Sequence, residues 1–287
     1  MVIGGGPGGY AAAFYGASAG LNVALVEKDT IGGTCLNRGC IPAKAFLETA
    51  AVNRHVSHAA DFGIATSASR IDFSVAQTRK QGIVQGLVKG LTGLTKSKKV
   101  TYLLGTGAMR TAKTVDVALA DGSSRTLEGR FVIIATGSTP RTIPGFAPGG
   151  PIMTSDEVLM LSSIPARIAV IGGGAIGCEF ASTFADLGAR VTILEGLPKI
   201  LPGLDEDVAN VVVKSFKKKN IDIRTGVSVT GHTPNASGGT TVSFGEGESI
   251  EVDAVVVSVG RKPYSDGLLL ANAGVAVSER GFVEVDG

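Results

Sequence analysis

Short apolar runs separated by glycine-rich turns open the chain, and the same order of elements returns in its second half. An apolar run, a glycine loop, a helix of small residues and a second apolar run ending in an acidic residue predict a strand, a turn, a helix and another strand. The predicted elements are strand 1–3, helix 10–19 and strand 22–27 in the first copy, and strand 168–171, helix 178–187 and strand 190–195 in the second. The repeat predicts two α/β units in tandem.

The pattern between and after the two copies predicts the remaining elements. The stretch 71–99 has apolar residues at Ile83, Leu87, Leu91 and Leu94 and predicts a long helix interrupted by glycines. Strands are predicted at 100–104, 115–119 and 131–135, the last as a buried run, and a helix at 205–219 precedes strands at 221–224, 240–244 and 250–259. The Pro- and Gly-rich stretch 140–151 predicts a linker. We therefore expect domains at 1–147 and 148–264, followed by a segment, 265–287, that returns toward the first.

Length, charge and cysteine content argue against several classes of function. The 287 residues suit two domains, each able to bury a core. A net charge of +2, with no basic run interleaved with aromatics, argues against a nucleic-acid partner. No apolar run approaches the ~20 residues of a membrane span, and the N-terminus lacks the features of a secretory signal, so we expect a cytoplasmic protein without a membrane partner. Three cysteines are too few for a disulfide scaffold.

The two glycine loops carry the spacing of a dinucleotide-binding turn. The first set is Gly4, Gly6, Gly9 and Glu27, and the second is Gly172, Gly174, Gly177 and Glu195. Glycines at the start of a helix let the backbone approach a pyrophosphate, and the acidic residue can accept the ribose hydroxyls. The alternative is that the glycines only permit tight packing of helix on strand. Two sets in the same context favour two dinucleotide sites.

Cys35 and Cys40 are the candidate redox residues. Five positions apart, they cannot share a face of a regular helix, so an irregular turn must bring them together, and Gly39 and Pro42 supply residues for one. Lys44 lies one helical turn after Cys40, where its charge would favour the thiolate. Two unrelated buried thiols, or a zinc site without its second ligand pair, are the alternatives. Cys178, inside the helix of the second copy, is expected to be a packed residue without a redox role.

The stretch 32–44, with the sequence GGTCLNRGCIPAK, resembles the active-site segment of the flavin disulfide oxidoreductases of the glutathione reductase class. The hallmark of that segment is two cysteines separated by four residues, just after the first dinucleotide unit. The form Leu-Asn-x-Gly-Cys-Ile-Pro is most similar to the dihydrolipoyl dehydrogenases. The resemblance covers essentially the whole chain, including 135–138 and 260–263. No metal site is expected, because no second ligand pair accompanies the two cysteines.

The resemblance implies a fold and a set of site residues. The fold would be α/β, with two tandem Rossmann-like dinucleotide-binding domains, FAD-binding at 1–147 and NAD-binding at 148–264, each with a small antiparallel β-meander, and without the family's C-terminal interface domain. Cys40 would be the thiol nearer the flavin and Cys35 the thiol that exchanges with substrate. Lys44 would pair with Glu179, from the other domain, beside the flavin ring. The further cofactor-binding residues implied are Thr136, Gly137 and Gly260.

The activity implied by the resemblance is the oxidation of dihydrolipoamide through a Cys35–Cys40 disulfide and FAD, with reduction of NAD⁺. The implied partners are the lipoyl domain of a 2-oxo acid dehydrogenase complex and, in the full-length protein, a second copy of the chain. Both ends of the chain are expected to be incomplete. Because the family's catalytic base lies in the interface domain, we expect the chain as given to be inactive.

The residues after Glu195 bear on the choice of nicotinamide coenzyme. Relatives that use NADPH place arginines there to hold the 2′-phosphate, whereas Glu195 is followed by Gly-Leu-Pro-Lys. A carboxylate accepts ribose hydroxyls and repels a phosphate, so NAD is expected. The alternatives are an NADPH-dependent disulfide or mercuric reductase of the same family and a nucleotide-binding fragment without catalytic activity.

Overall fold

The structure, a computed structural model, describes residues 1–67 and 70–286. Packing divides the chain into two compact units. The first comprises Met1–Ile41, Gly82–Thr139 and Arg261–Gly287, and the second comprises Pro42–Gln81 and Pro140–Gly260. Both units contain helices and β-sheets, so the mixed α/β class predicted from the sequence is confirmed.

The two units are discontinuous in sequence, whereas the expected domains are continuous ranges. Residues 42–81 fall in the expected first domain but pack with the second unit, because Phe46 and Phe73 join a hydrophobic core that includes Phe180 and Phe184. Helical periodicity shows that one face of a helix is buried but does not show which sheet it packs against. The assignment of each nucleotide to a domain stays a prediction.

The helices predicted at 10–19, 71–99, 178–187 and 205–219 are present, with their ends shifted by up to three residues. Among the described residues the helices are α1 (Pro7–Ser18), α2 (Gly33–Arg38), α3 (Cys40–Ser57), α4 (Phe73–Ser97), α5 (Ser155–Val158), α6 (Ala175–Asp186) and α7 (Glu206–Lys218), with short 3-10 helices at Ala59–Phe62 and Leu270–Ala273. None of the helices in this described part of the chain is long and apolar enough to cross a membrane.

Within residues 1–67 and 70–286 the strands form four sheets. In chain order they are β1 (Val2–Ile3), β2 (Ala24–Glu27), β3 (Thr101–Thr111), β4 (Thr114–Leu119), β5 (Ser124–Glu128), β6 (Ile133–Ile134), β7 (Ser138–Pro140), β8 (Ile152–Met153), β9 (Arg167–Ile171), β10 (Arg190–Glu195), β11 (Asp222–Thr225), β12 (Val229–Pro234), β13 (Thr240–Phe244), β14 (Glu248–Val252), β15 (Ala254–Val257) and β16 (Arg261–Pro263).

The main sheet of the first unit has the order β5-β4-β3-β2-β1-β6. Strands β3, β2, β1 and β6 are parallel, while β3, β4 and β5 form an antiparallel meander. Val2 lies opposite Leu25 and Ile3 opposite Val26. Because carboxyl ends of parallel strands share one edge of a sheet, this register places the first glycine loop beside Glu27.

The main sheet of the second unit is parallel and has the order β11-β10-β9-β15-β8. Its central strands are buried, as is typical of a parallel sheet covered on both faces. A separate antiparallel sheet has the order β12-β13-β14. In this unit too, the glycine loop after β9 and Glu195 at the end of β10 share the carboxyl edge.

Two sequence predictions about strands are wrong. The single strand expected at 250–259 is two strands, because Asp253 leaves the sheet and binds the backbone N–H and the guanidinium of Arg167. The strand expected to be buried at 131–135 is reduced to β6, an edge strand on which Ile133 is 45% exposed. The helix predicted from the apolar positions at 71–99 is present as α4, in which Leu91 is buried and Leu87 and Leu94 are nearly half exposed.

Candidate functional site

The first glycine loop, between β1 and α1, has three glycines with three different environments. Gly4 has φ +104, and a side-chain carbon there would lie 2.2 Å from Ala135 O. A carbon on Gly9 would lie 1.7 Å from Gly4 O, so Gly9 lets α1 pack against the loop. Gly6, the N-cap of α1, would meet only Gly33 Cα, at 3.7 Å. The turn and the packing therefore require Gly4 and Gly9, while Gly6 makes only an ordinary van der Waals contact with Gly33.

The second loop, between β9 and α6, repeats this arrangement. Gly172 has φ +105, and a side-chain carbon there would lie 2.5 Å from Ser258 O. A carbon on Gly177 would lie 2.0 Å from Gly172 O, whereas one on Gly174 would meet nothing within 4 Å. Packing alone accounts for the first and third glycines but not for Gly174. An open glycine at a helix N-terminus fits a loop that a pyrophosphate must approach.

The two acidic residues at the ends of β2 and β10 turn toward their glycine loops. Glu27 Oε2 accepts a hydrogen bond from Gly5 N at 2.6 Å, and Glu195 Oε2 accepts one from Gly173 N at 2.5 Å. The second oxygen of Glu27 accepts from Asp29 N at 2.9 Å, and that of Glu195 from Leu197 N at 2.8 Å. Each carboxylate is about 90% buried. Each oxygen keeps lone-pair capacity for a ribose hydroxyl.

The cysteine-bearing segment is built as an irregular helix pair. Helix α2 carries Cys35 and ends at Arg38, and its C-cap Gly39, with φ −146 and ψ −112, breaks the helix before α3 begins at Cys40. A side-chain carbon on Gly39 would lie 2.9 Å from Thr34 O, so only glycine lets the chain fold back this closely. Cys35 is half-buried and Cys40 is exposed. The irregular turn predicted between the two cysteines is therefore present.

Lys44 and Glu179 form the ion pair that the resemblance predicted. Lys44 Nζ lies 3.1 Å from Glu179 Oε1, and the two side chains are 60% and 43% exposed. Lys44 lies one turn after Cys40 in α3, and Glu179 lies in α6. Both belong to the second compact unit, so the pair lies within one unit, where the expected domain boundary had separated its members. A catalytic role for either residue stays a prediction.

Hydrogen bonds to main-chain carbonyl groups hold the turns that contain the other predicted cofactor residues, Thr136, Gly137 and Gly260. Thr136 Oγ1 donates to Tyr264 O at 2.6 Å, and Tyr264 N donates to Gly137 O at 2.9 Å. Gly137 has φ +72 and Gly260 has φ +112. Arg141 N donates to Gly260 O at 3.0 Å. These bonds fix the turns, and contact of the three residues with a cofactor stays a prediction.

Lys28, Gly107 and Tyr264 lie near Glu27 in the first unit and were not predicted from the sequence. A cavity of about 50 Å³ is lined in part by Glu27, Lys28, Gly107, Thr136 and Tyr264. Lys28 Nζ lies 3.6 Å from the centroid of the Tyr264 ring, a cation–π contact. Gly107, inside β3, is the signal that was available, because glycine within a strand often marks a close approach.

Cys178, Asp29 and the three histidines are the remaining titratable residues considered for the site. Burial, with the charge of Glu195, raises the pKa of the Cys178 thiol to about 11, as expected for a packed residue. Burial would also raise the pKa of Asp29, but hydrogen bonding from the Thr30 N–H and the charge of Arg38 hold that pKa below its usual range. His55 lies near the end of α3, His58 just follows it, and His232 lies in β12.

Comparison with protein families assigns the chain as a whole. The model described as "Pyridine nucleotide-disulphide oxidoreductase" matches residues 1–287. The chain belongs to this family. Members of the dihydrolipoyl dehydrogenase branch use FAD and NAD, and the two glycine loops at the N-termini of α1 and α6 fit two such dinucleotides. The residues that would hold them are the two glycine loops, with Glu27 and Glu195.

Curated relatives and solved structures extend the similarity over almost the whole chain. It is 40% identical over 287 residues to a dihydrolipoyl dehydrogenase of Chlamydia pneumoniae and 39% identical over 289 residues to one of Geobacillus stearothermophilus. The structure of LpdA from Mycobacterium tuberculosis matches 99% of the chain with a TM-score of 0.92 and 27% identity. The HOCl-induced flavoprotein disulfide reductase RclA of Escherichia coli matches with a TM-score of 0.86 and 29% identity. The chain spans 61% of the length of both curated relatives and of RclA, and 63% of LpdA.

Proposed function

We propose that the protein to which this chain belongs is an NAD-dependent dihydrolipoyl dehydrogenase. The observation that carries the proposal is the seating of the cysteine segment on the first glycine loop. Gly32 N donates to Gly5 O at 2.8 Å, and Gly33 lies against Gly6 so closely that a side-chain carbon on Gly33 would be 2.5 Å from Gly6 Cα. A redox pair fixed beside a dinucleotide loop can exchange electrons with the cofactor that the loop holds.

The proposed domain organisation is two Rossmann-like nucleotide-binding domains in tandem. FAD binds at the first glycine loop and Glu27, and NAD binds at the second loop and Glu195. The repeated environments of the glycines support this assignment, since the same three roles recur at equivalent positions in both units. When bound, FAD supplies the electron transfer between a dithiol and NAD⁺ that no amino-acid side chain provides.

The two thiols have different roles in the reaction with the substrate. Cys35 exchanges with dihydrolipoamide: a substrate thiolate attacks the Cys35–Cys40 disulfide, Cys40 leaves as a thiolate, and the second substrate sulfur displaces Cys35. The substrate becomes a cyclic disulfide and the protein gains the dithiol. Lys44 lies one turn after Cys40 in α3, and its ion pair with Glu179 orients its ammonium group. The net change is dihydrolipoamide plus NAD⁺ to lipoamide, NADH and a proton.

The substrate and partners follow from the same proposal. Dihydrolipoamide is carried on the lipoyl domain of a 2-oxo acid dehydrogenase complex, and the full-length protein acts as a homodimer. The relatives named dihydrolipoyl dehydrogenase support this partner class. An exposed Cys40 and a half-buried Cys35 are compatible with a large carrier that reaches the pair from solvent.

Substitution of each cysteine tests the redox assignment. In flavin-loaded full-length protein, Cys35→Ser should leave a long-wavelength absorbance from Cys40 thiolate and flavin, and Cys40→Ser should abolish it. Both variants should lose dihydrolipoamide oxidation, while Cys178→Ser should keep it. The opposite absorbance pattern would reverse the roles of the two cysteines, and activity in both variants would refute the proposal.

A disulfide reductase that uses NADPH is the second candidate, favoured by the similarity to RclA. Glu195 argues against it, because a buried carboxylate at the end of β10 would lie where a 2′-phosphate must bind. Charged hydrogen bonds of ~1.5–3 kcal/mol correspond to roughly 10- to 150-fold discrimination. We expect kcat/KM for NAD to exceed that for NADP by this factor, and a preference for NADP would favour the second candidate.

A further inference from the structure

The middle glycine of each loop is held on both sides of its backbone. Gly5 N donates to Glu27 Oε2 at 2.6 Å, and Gly5 O accepts from Gly32 N at 2.8 Å. Gly173 N donates to Glu195 Oε2 at 2.5 Å, and Gly173 O accepts from Leu201 N at 2.8 Å. The same construction therefore joins an acidic residue to a downstream segment in both units, but only in the first unit does that segment carry cysteines.

The absence of a side chain on Gly5 is what lets Glu27 approach. A side-chain carbon on Gly5 would lie 3.0 Å from both Cβ and Oε2 of Glu27, a contact tighter than ordinary packing. Gly5 is buried, and Glu27 is 8% exposed. Hydrogen bonds between a buried carboxylate and main-chain N–H groups are strong because one partner is charged and water does not compete.

The other oxygen of Glu27 leads to the far end of the cysteine helix. Glu27 Oε1 accepts from Asp29 N at 2.9 Å, and Asp29 accepts a hydrogen bond from Arg38, the last residue of α2. Asn37 adds a donated bond to Thr30 O at 3.0 Å. The two oxygens of one carboxylate thus connect to the start of α2 through Gly5 and Gly32, and to its end through Asp29 and Arg38.

We propose that Glu27 is a positioning residue for the redox cysteines, which it holds in place by fixing both ends of the segment that carries them. This role is additional to any contact of Glu27 with a ribose. The inference rests on the proposed redox function of Cys35 and Cys40. Glu195 is an internal control, because it makes equivalent hydrogen bonds in the second unit, where the connected segment carries no cysteines.

Hydrogen exchange of single main-chain amides in the full-length protein tests the proposal, with and without FAD. In Glu27→Gln one carboxylate oxygen becomes an NH2 group, which cannot accept a hydrogen bond from the main-chain N–H that it faces. The main-chain amide of Gly32 should then exchange at least ~10-fold faster, while the exchange rate of the Leu201 amide stays unchanged. Glu195→Gln should give the opposite pattern. Faster exchange at both sites in either variant, or at neither, would overturn the proposal.

A second substitution separates positioning from loss of the carboxylate. Gly5→Ala keeps Glu27 but pushes its side chain away, and it should reproduce the effect of Glu27→Gln on Gly32 even if that variant folds poorly. Gly8→Ala is the matched control, because a side-chain carbon on Gly8 meets nothing within 4 Å. If Gly5→Ala leaves Gly32 exchange at the wild-type rate, the contact through Gly5 does not hold the segment.

The equilibrium of the cysteine pair with glutathione gives a chemical measure of positioning. The disulfide and two glutathione thiols exchange to give the Cys35–Cys40 dithiol and glutathione disulfide. A loosened segment closes the disulfide less readily, so Glu27→Gln should shift this equilibrium toward the dithiol by about tenfold, or ~30 mV, and Glu195→Gln should not. An unchanged equilibrium would refute the positioning role, whereas a wild-type protein without a reducible Cys35–Cys40 disulfide would refute the proposed function instead.

Discussion

Substitution of Gly177 and of Gly174, in the second glycine loop, can distinguish a glycine needed for packing from one needed for ligand binding. In Gly177→Ala the added carbon would lie 2.0 Å from Gly172 O and 3.2 Å from Val170 Cγ1. The obstacle is main chain, so α6 must move away from β9. In Gly174→Ala the added carbon meets nothing within 4 Å, and the φ of −72 at Gly174 is ordinary for alanine.

The expected magnitudes follow from these contacts. Overpacking of a well-packed region costs ~1–3 kcal/mol, and overlap with backbone places Gly177→Ala at the upper end, ~3 kcal/mol. Alanine inside a helix returns up to ~1 kcal/mol, which leaves a net loss of ~2 kcal/mol and a fall in Tm of about 4–8 °C. Gly174→Ala should change the free energy of unfolding by less than ~1 kcal/mol, because only the N-cap preference is altered.

Nucleotide affinity should fall more in Gly174→Ala than in Gly177→Ala, the opposite order to the loss of stability. In the proposed NAD site the carbon added at Gly174 would project toward the pyrophosphate, so the Kd for NAD should rise at least ~10-fold, which is 1.4 kcal/mol. Urea denaturation without nucleotide and titration calorimetry with NAD measure the two effects, and Gly203→Ala, in open space, is the control for both. If Gly174→Ala binds NAD normally, or costs as much stability as Gly177→Ala, the assignment of glycine roles is wrong.

Two further predictions concern stability. Asp186, whose side chain is 8% exposed, binds Arg54 and Lys219, so Asp186→Asn should cost ~2–3 kcal/mol, less than a fully buried pair because the Arg54 side chain is 40% exposed. Asp222→Asn, which removes an exposed ion pair, should cost under ~1 kcal/mol, and equal losses in urea denaturation would contradict this account. Burial raises the pKa of Cys178 to about 11, so the folded state holds the thiol proton more tightly than the unfolded state does. The stabilisation by the neutral thiol is complete below pH 9, and the free energy of unfolding should fall as the pH rises from 9 to 11. Cys178→Ala should remove this fall.

Local features of the chain were accessible from the sequence because their causes are local. The glycine loops, the helices that follow them and the irregular turn at Gly39 depend on backbone angles and on spacing within a few residues. Apolar runs gave the central strands for the same reason. The pairing of Lys44 with Glu179 was also expected, but from family resemblance, since no local pattern connects residues in α3 and α6.

Tertiary structure decided the features whose partners are distant in sequence. The break at Asp253 interrupts a continuous apolar run because Arg167, on another strand, binds the aspartate. The packing of residues 42–81 with the second unit depends on which apolar surfaces meet, and helical periodicity leaves that choice open. Glu27 could be recognised in the sequence as an acidic residue after a strand, but its hold on both ends of α2 exists only when the carboxyl edge of the sheet brings the glycine loop, the carboxylate and the cysteine segment together.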